Sequence, residues 1–231
     1  MPTLLLQLVG PMQSWGSSSQ FDVRDTRKEP TKSGVLGILA AALGIDRTNW
    51  PQLEPLTTLA MGVRHDRPGL PRIDLQTAGC AIDDTIVKAN GSQSQSGILS
   101  RRHYLADAAF LVGLESPDRA QLDALLAALR NPVWPIGLGR KSYLPSEPLW
   151  TDTPITESPL RVALTIHPWL GHRQRGIPRP SQLLLSSESP TQTGLFVMDV
   201  PLSSFHERQF GARYLLHEWI PFPHEVAHVS A

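Results

Sequence analysis

The chain has almost no cysteine: Cys80 is the only one in 231 residues. A disulfide scaffold is therefore excluded, and the usage fits a reducing compartment. Long hydrophobic runs are missing as well. No apolar stretch reaches the ~18 residues that a membrane span needs, so no membrane contact is expected. The opening Met1-Pro2-Thr3 lacks the cationic start of a signal peptide, and a soluble cytoplasmic protein is expected. Net charge is absent, with 21 basic against 21 acidic side chains, and charged residues make up 18%, below the usual ~25%. That balance excludes a polybasic arm or a histone-like protein and, taken alone, speaks against nucleic acid. Metal-ligand spacing is confined to one close pair, His224 and His228, so neither a metal nor another cofactor is expected. There is no Gly-x-Ser-x-Gly elbow, and Cys80 has no catalytic signature around it. Disorder is excluded by 41% apolar content without a charge excess.

What the chain does have is proline and glycine, 21 and 17 of 231 positions, roughly 16% where ~12% is ordinary. Its basic side is 17 Arg and only 4 Lys. Such a bias follows from a GC-rich genome, or from the advantage of guanidinium groups in bidentate phosphate contacts and base stacking. The charges are also segregated. Arg24, Arg27, Lys28 and Lys32 lie within nine residues; Arg101-Arg102 and Arg140-Lys141 are adjacent pairs; Arg161, Arg173, Arg175 and Arg179 occupy a stretch from 159 to 187 that contains no acid. Segregated charge makes a local positive field in a neutral protein.

The periodicity outlines a fold. Thr3 to Val9 reads as a buried strand ended by Gly10-Pro11. Residues 11–33 read as a long loop, a feature that is usually functional in a compact domain. Val35 to Ile45 reads as a buried helix, with Thr31 or Ser33 as N-cap and Gly44 at its stop. Leu59–Arg64 and Arg72–Thr77 alternate as strands. Residues 79–100 form a polar excursion with its tip near Asn90-Gly91, and Ala106 to Leu114 returns as a strand. Asp118 opens an amphipathic helix with Leu122, Leu125, Leu126 and Leu129 on one face, ended by Asn131-Pro132. A glycine loop follows at 136–142. The order is that of an α+β, ferredoxin-like or RRM-type β-α-β-β-α-β domain over 1–150, with an inserted β-hairpin thumb at about 70–105. Residues 151–231, dense in proline, read as a small C-terminal β appendage, with strands at Leu160–Ile166, Gly194–Val200 and Tyr214–Trp219.

Three loops carry candidate binding chemistry. Gly10 to Gly16 contains Gln13, Ser14 and Trp15 and is either a structural turn or a loop that offers an indole face to a base. Pro30 to Gly34 opens a helix, where Thr31, Lys32 and Ser33 serve either as ordinary caps or as a phosphate seat. Gly137 to Ser142 is a tight turn, or a place where a phosphate backbone approaches Gly139, Arg140, Lys141 and Ser142. His103-Tyr104 beside Arg101-Arg102 could also serve metal-independent RNA cleavage, although the same residues fit a strand edge.

The segments Leu8 to Gly16, Pro30 to Gly37 with Leu43-Gly44-Ile45, Arg102 to Phe110, Leu138 to Ser142 and, more loosely, Arg208-Gln209-Phe210 occur in a recognisable order. In these the chain resembles the CasD family of the type I-E CRISPR Cascade complex, within the RAMP superfamily; the resemblance spans most of 1–150 and thins beyond. It implies a modified RNA-recognition fold with a thumb, and a non-catalytic subunit that caps one end of the assembly and grips the 5′ handle of the crRNA. The implied neighbours are the backbone subunit CasC and the large subunit CasA, with target DNA engaged only indirectly. Cleavage of the precursor RNA would belong to another subunit, CasE. In related type I-C systems the homologous subunit is itself the nuclease, which leaves an endoribonuclease as the alternative. Gln13, Ser14, Trp15, Arg24, Arg27, Lys28, Thr31, Lys32, Ser33, Arg101, Arg102, Tyr104, Gly139, Arg140, Lys141 and Ser142 are the candidate RNA contacts.

Overall fold

The computed structural model describes residues 1–17, 23–79, 85–88, 91–173 and 178–223. Cys80, Asn90, Arg175, His224 and His228, singled out above, lie outside them. The first strand, β1 (Thr3–Val9), is apolar at nearly every position because both of its faces are covered. Leu4, Leu6 and Leu8 point into the larger core and Leu5 into a second one on the other side of the sheet. The expected long loop contains two short strands, β2 (Met12–Gln13) and β3 (Val23–Arg24). Helix α1 (Lys32–Leu43) begins where the hydroxyl of Thr31 accepts from the Gly34 N–H and stops at Gly44 in the left-handed region, φ 72°.

Helix α2 (Trp50–Thr57) was not foreseen. Asn49 caps its start, and Pro51 falls in the first turn, where a missing N–H costs nothing. Next come β4 (Ala60–Arg67), β5 (Leu70–Ala78), β6 (Ile86–Val87), β7 (Gln93–Ser94), β8 (Ile98–Ala106) and β9 (Ala109–Glu115). The strand expected over 106–114 is β9 and starts three residues later: β8 ends at Ala106, and the chain turns at Asp107, φ 54°, before β9 begins. Helix α3 (Arg119–Arg130) starts at the Asp118 cap and buries the four leucines of its stripe. The C-terminal part contributes β10 (Trp150–Thr156), α4 (Leu160–Ile166), a 3₁₀ turn (Leu170–Arg173), β11 (Gln182–Glu188), β12 (Leu195–Pro201) and β13 (Phe210–Pro221).

The central sheet runs β10-β1-β9-β4-β11-β13-β12. Its first four members are the ferredoxin-like set, joined as strand, helix, strand, strand, helix, strand and antiparallel at each pairing. Residues 151–231, expected to stand apart as an appendage, supply strands at both ends of this sheet: β10 pairs with β1, and β11 pairs with β4. Leu160–Ile166, expected as a strand, is a helix. Leu160, Ala163 and Leu164 are spaced i, i+3, i+4 and lie over the middle of the sheet. Gly62 and Gly113 make room for them; a β-carbon at those positions would sit 2.7 Å from Leu164 and 2.5 Å from Leu160. The C-terminal end of α4 is held by the fully buried Arg64, which donates to the carbonyls of Leu164, His167 and Pro168 and pairs with Asp66 through two bonds of 2.6 and 2.8 Å.

The thumb is the β5–β8 ladder, in register from Leu70↔Ala106 to Ala78↔Ile98. On its other edge β8 takes β2 antiparallel and β3 parallel. A small hairpin, β6–β7, closes through Gly91 at φ 81°. No helix among the described residues is long and apolar enough to cross a membrane.

Candidate nucleic-acid interface

Where thumb and body meet, a cavity of about 340 Å³ is lined by Ser14, Gly16, Ser17, Arg24, Asp25, Gly139, Arg140, Arg208 and Phe210. A smaller one of about 170 Å³ adjoins it at Ser14, Gly16 and Gly139 and extends to Ser33, Gly34 and Phe205. Three guanidinium groups against one carboxylate give this groove a positive sign in an otherwise neutral chain. Gly139 forms its floor at φ 88°; any β-carbon there would collide with the Ser14 carbonyl.

The candidate residues divide into those that build the groove and those that face solvent. Gln13 is fully buried, donating to the carbonyls of Leu8 and Ala108 at 2.9 Å and accepting from the Trp15 indole. Trp15, expected to offer an indole face, is 1% exposed and packs against Gly34. Its backbone holds Thr26 and Arg27, so it orders the loop rather than presenting a stacking surface. The Ser14 hydroxyl donates to the His103 carbonyl. Thr31 is the buried cap of α1. Lys32 is 4% exposed, with Nζ 3.0 Å from Glu188 and its backbone N–H donated to Asp199 at 2.8 Å. The charge and the helix-end N–H expected to seat a phosphate are both committed inside the protein.

Arg140 donates to the Tyr143 hydroxyl at 2.7 Å, to the His103 carbonyl at 3.0 Å and to the Arg24 carbonyl at 3.3 Å, and it lies over the Tyr143 ring. It is a clamp between the glycine loop, β8 and β3. Arg24, Lys28, Arg101, Lys141 and Ser142 are exposed; Arg27, Ser33, Arg102 and Tyr104 are half-buried.

The ladder separates residues that are adjacent in sequence. Side chains alternate along β8, so Arg102 and Tyr104 share one face with Arg24, their partner strand's neighbour in register, whereas Arg101 and His103 point to the other with Val23. Tyr104 meets Tyr143 of the glycine loop, 6.0 Å between ring centroids. His103 and Tyr104 therefore lie on opposite faces of the ladder, and His103 shares its face with Arg101. Among the described residues there is no group of three or more His, Cys, Asp or Glu that could hold a metal ion.

Sequence reasoning missed the contribution of 205–210. Phe205 and Arg208 reach the groove from the connection between β12 and β13, and Phe210 from the first position of β13. The Arg208-Gln209-Phe210 motif was the available signal. A buried polar cluster joins the segment before α1 to β4 and β11. Glu29 accepts from Ser186 at 2.6 Å and pairs with His65 at 2.8 Å, with His217 3.8 Å away. Burial pushes the Glu29 carboxyl up, but the hydrogen bonds from His65 and Ser186 and the charges of His65 and His217 outweigh it and leave its pKa below the ordinary value. Burial likewise opposes the charge of Arg213, and its bonds to Asp199, with Glu188 and Glu29 nearby, raise its pKa above the usual one.

A ferredoxin-like sheet carrying a ladder and a glycine-floored basic groove at the base of that ladder matches the CRISPR-associated RAMP class. Residues 3–215 match the family described as CRISPR-associated protein (Cas_Cas5). The Escherichia coli (strain K12) CRISPR system Cascade subunit CasD is 33% identical over 172 residues, covering 71% of this chain and 77% of that one. A solved structure described as a Cas protein superposes with TM-score 0.75 at 43% identity, covering 96% of this chain and 97% of the other. A chain of a CRISPR RNA-guided surveillance complex superposes with TM-score 0.77 at 32% identity, covering 96% and 91%. The chain belongs to this family, the CasD/Cas5 RAMP subunits of type I-E CRISPR Cascade.

Proposed function

We propose that the protein is a non-catalytic RNA-binding subunit of a type I-E CRISPR surveillance complex, that it caps the 5′ handle of the crRNA, and that it links the backbone subunit CasC to the large subunit CasA for antiviral DNA targeting. The observation that carries this reading is the groove between the thumb ladder and the glycine loop, where Arg24, Arg208 and Phe210 line one cavity. A single-stranded RNA is held by cations that follow its phosphates and by side chains on which its bases stack. Arg24, Arg208 and the exposed Lys141 serve the phosphates, and Phe210 serves a base. Ser33 lines the adjoining cavity, and Arg27, Lys28, Arg102 and Ser142 serve as further contacts. The sheet face that an RNA-recognition fold uses for stacking is covered here by α4, which moves binding to the loops.

The test is binding of handle RNA by the assembled complex as a function of salt. Each phosphate contact removed flattens the dependence by roughly 0.7 unit for a single strand. Arg24→Ala combined with Arg208→Ala is expected to lower affinity and flatten the slope by roughly 1.4 units. Wild-type affinity with a wild-type slope would reject the groove. Repeat RNA incubated with the purified protein in EDTA is expected to remain intact; cleavage lost in His103→Ala would establish the endoribonuclease instead.

A further inference from the structure

The first turn of α1 forms one wall of the groove, yet it is held from the opposite end of the sheet. The Lys32 N–H donates to Asp199 on β12 at 2.8 Å. The Asp199 carboxylate takes two bonds from Arg213 on β13, at 2.6 and 2.8 Å. Arg213 reaches Glu188 on β11 at 3.2 Å, and Glu188 returns to Lys32 Nζ at 3.0 Å. Two cations and two anions thus close a ring; Lys32, Asp199 and Arg213 are buried and Glu188 is partly exposed. A buried charge that loses its partner is left uncompensated, so the ring holds its members in one arrangement.

We propose that Asp199 is a positioning residue for RNA binding: an internal carboxylate that occupies the N-terminus of α1 and, through Arg213, Glu188 and Lys32, sets the groove wall formed by Ser33 and Gly34. The inference rests on the RNA-binding reading above. Contacts connect the ring to the groove. Gly34 packs against the Trp15 ring, the Trp15 N–H donates to Thr26 Oγ1, and the Trp15 carbonyl accepts from the Arg27 N–H. Thr26 follows Arg24 and Asp25 directly, and those two line the cavity. A shift of the α1 end therefore moves the cation that faces the RNA. With Asp199 in place the helix end offers no seat to a phosphate, and Lys32 acts from within.

The experiment uses the full-length chain and a fluorescein-labelled single-stranded RNA of the repeat-derived 5′ handle sequence. Asp199→Asn keeps an acceptor for the Lys32 N–H and removes the charge. It is expected to weaken binding about tenfold, a size typical of residues that act through a contact network, with no change in the salt slope. Fluorine NMR of the RNA-free protein labelled with 5-fluorotryptophan, assigned with Trp15→Phe, is expected to show the Trp15 resonance displaced in Asp199→Asn. A residue that only adds stability would lower the melting temperature and leave both the affinity of the folded protein and that resonance where they were; that result overturns the proposal. A slope that flattens by roughly 0.7 unit would also overturn it, since that marks a direct phosphate contact. Should Asp199→Asn fail to fold, Glu188→Gln at the partly exposed corner of the ring decides by the same two readouts. If the wild-type chain itself does not bind the RNA, the RNA reading falls, and the Trp15 resonance alone decides whether the ring positions the wall.

Discussion

Replacing Arg140 with alanine separates building the groove from binding in it. Arg140 makes three hydrogen bonds, to the Tyr143 hydroxyl and to the carbonyls of His103 and Arg24, and covers the Tyr143 ring at 5.2 Å. Each bond from a charged donor is worth about 1.5–3 kcal/mol when buried. Arg140 is only half-buried and water replaces part of each, so about 1 kcal/mol apiece, or about 2–3 kcal/mol in total, is the working figure. For a domain of this size that lowers the melting temperature by about 5–10 °C. The neighbouring Lys141 is exposed; Lys141→Ala is expected to leave the melting temperature unchanged and to flatten the salt dependence of RNA binding by roughly 0.7 unit. Differential scanning fluorimetry and salt-titrated fluorescence anisotropy measure the two quantities on the same samples. The reasoning is refuted if Arg140→Ala melts with the wild type and instead shows the flattened slope, because its guanidinium would then be spent on a phosphate rather than on the two carbonyls.

Three other outcomes follow from the geometry. Arg64→Met removes the partner of the buried Asp66 and three carbonyl contacts at the end of α4; it is expected to cost about 3–5 kcal/mol and to expose 160–170 to limited proteolysis, and an unchanged urea midpoint would contradict it. The depressed pKa of Glu29 means that its stabilisation is complete above the unfolded-state value and is lost as pH falls through the lower folded-state value. Glu29→Gln should therefore have a lower urea midpoint than the wild type at pH 7, with the gap closing under strongly acidic conditions; a gap constant with pH would contradict the assignment. Gly139→Ala places a β-carbon against the Ser14 carbonyl at a positive φ and is expected to weaken both folding and RNA binding, so a variant with wild-type melting and affinity would show that the loop is not held as described.

Local signals were the legible part of this protein. The Thr31 cap, the Gly44 stop, the leucine stripe of α3 and the two-faced apolar run of β1 each depend on residues within a few positions of one another. The alternating stretch Arg72–Thr77 lies in β5 for the same reason, whereas its ladder partner β8 was not legible as a strand. Leu160–Ile166 was misread because seven residues rich in β-branched and apolar side chains satisfy both periods, and only the glycine hollow at Gly62 and Gly113 selects the helix. β11 was missed between prolines because its partners, β4 and β13, lie far from it in the chain.

By itself, then, the amino-acid order determined β1, α1 and α3, the caps of those helices and the loops in which binding chemistry is concentrated. Only the tertiary structure decided which polar side chains in those loops face inward. Gln13, Trp15 and Lys32 look like ligand contacts in a linear reading, since the order of residues does not show which of them the fold buries. Burial of a polar group requires a partner, and for the Lys32 side chain it comes from Glu188 on β11, far along the chain. The same folding that turns these side chains inward brings Arg208 and Phe210 from the last third to the groove, and so makes a positive site in a chain whose charges cancel.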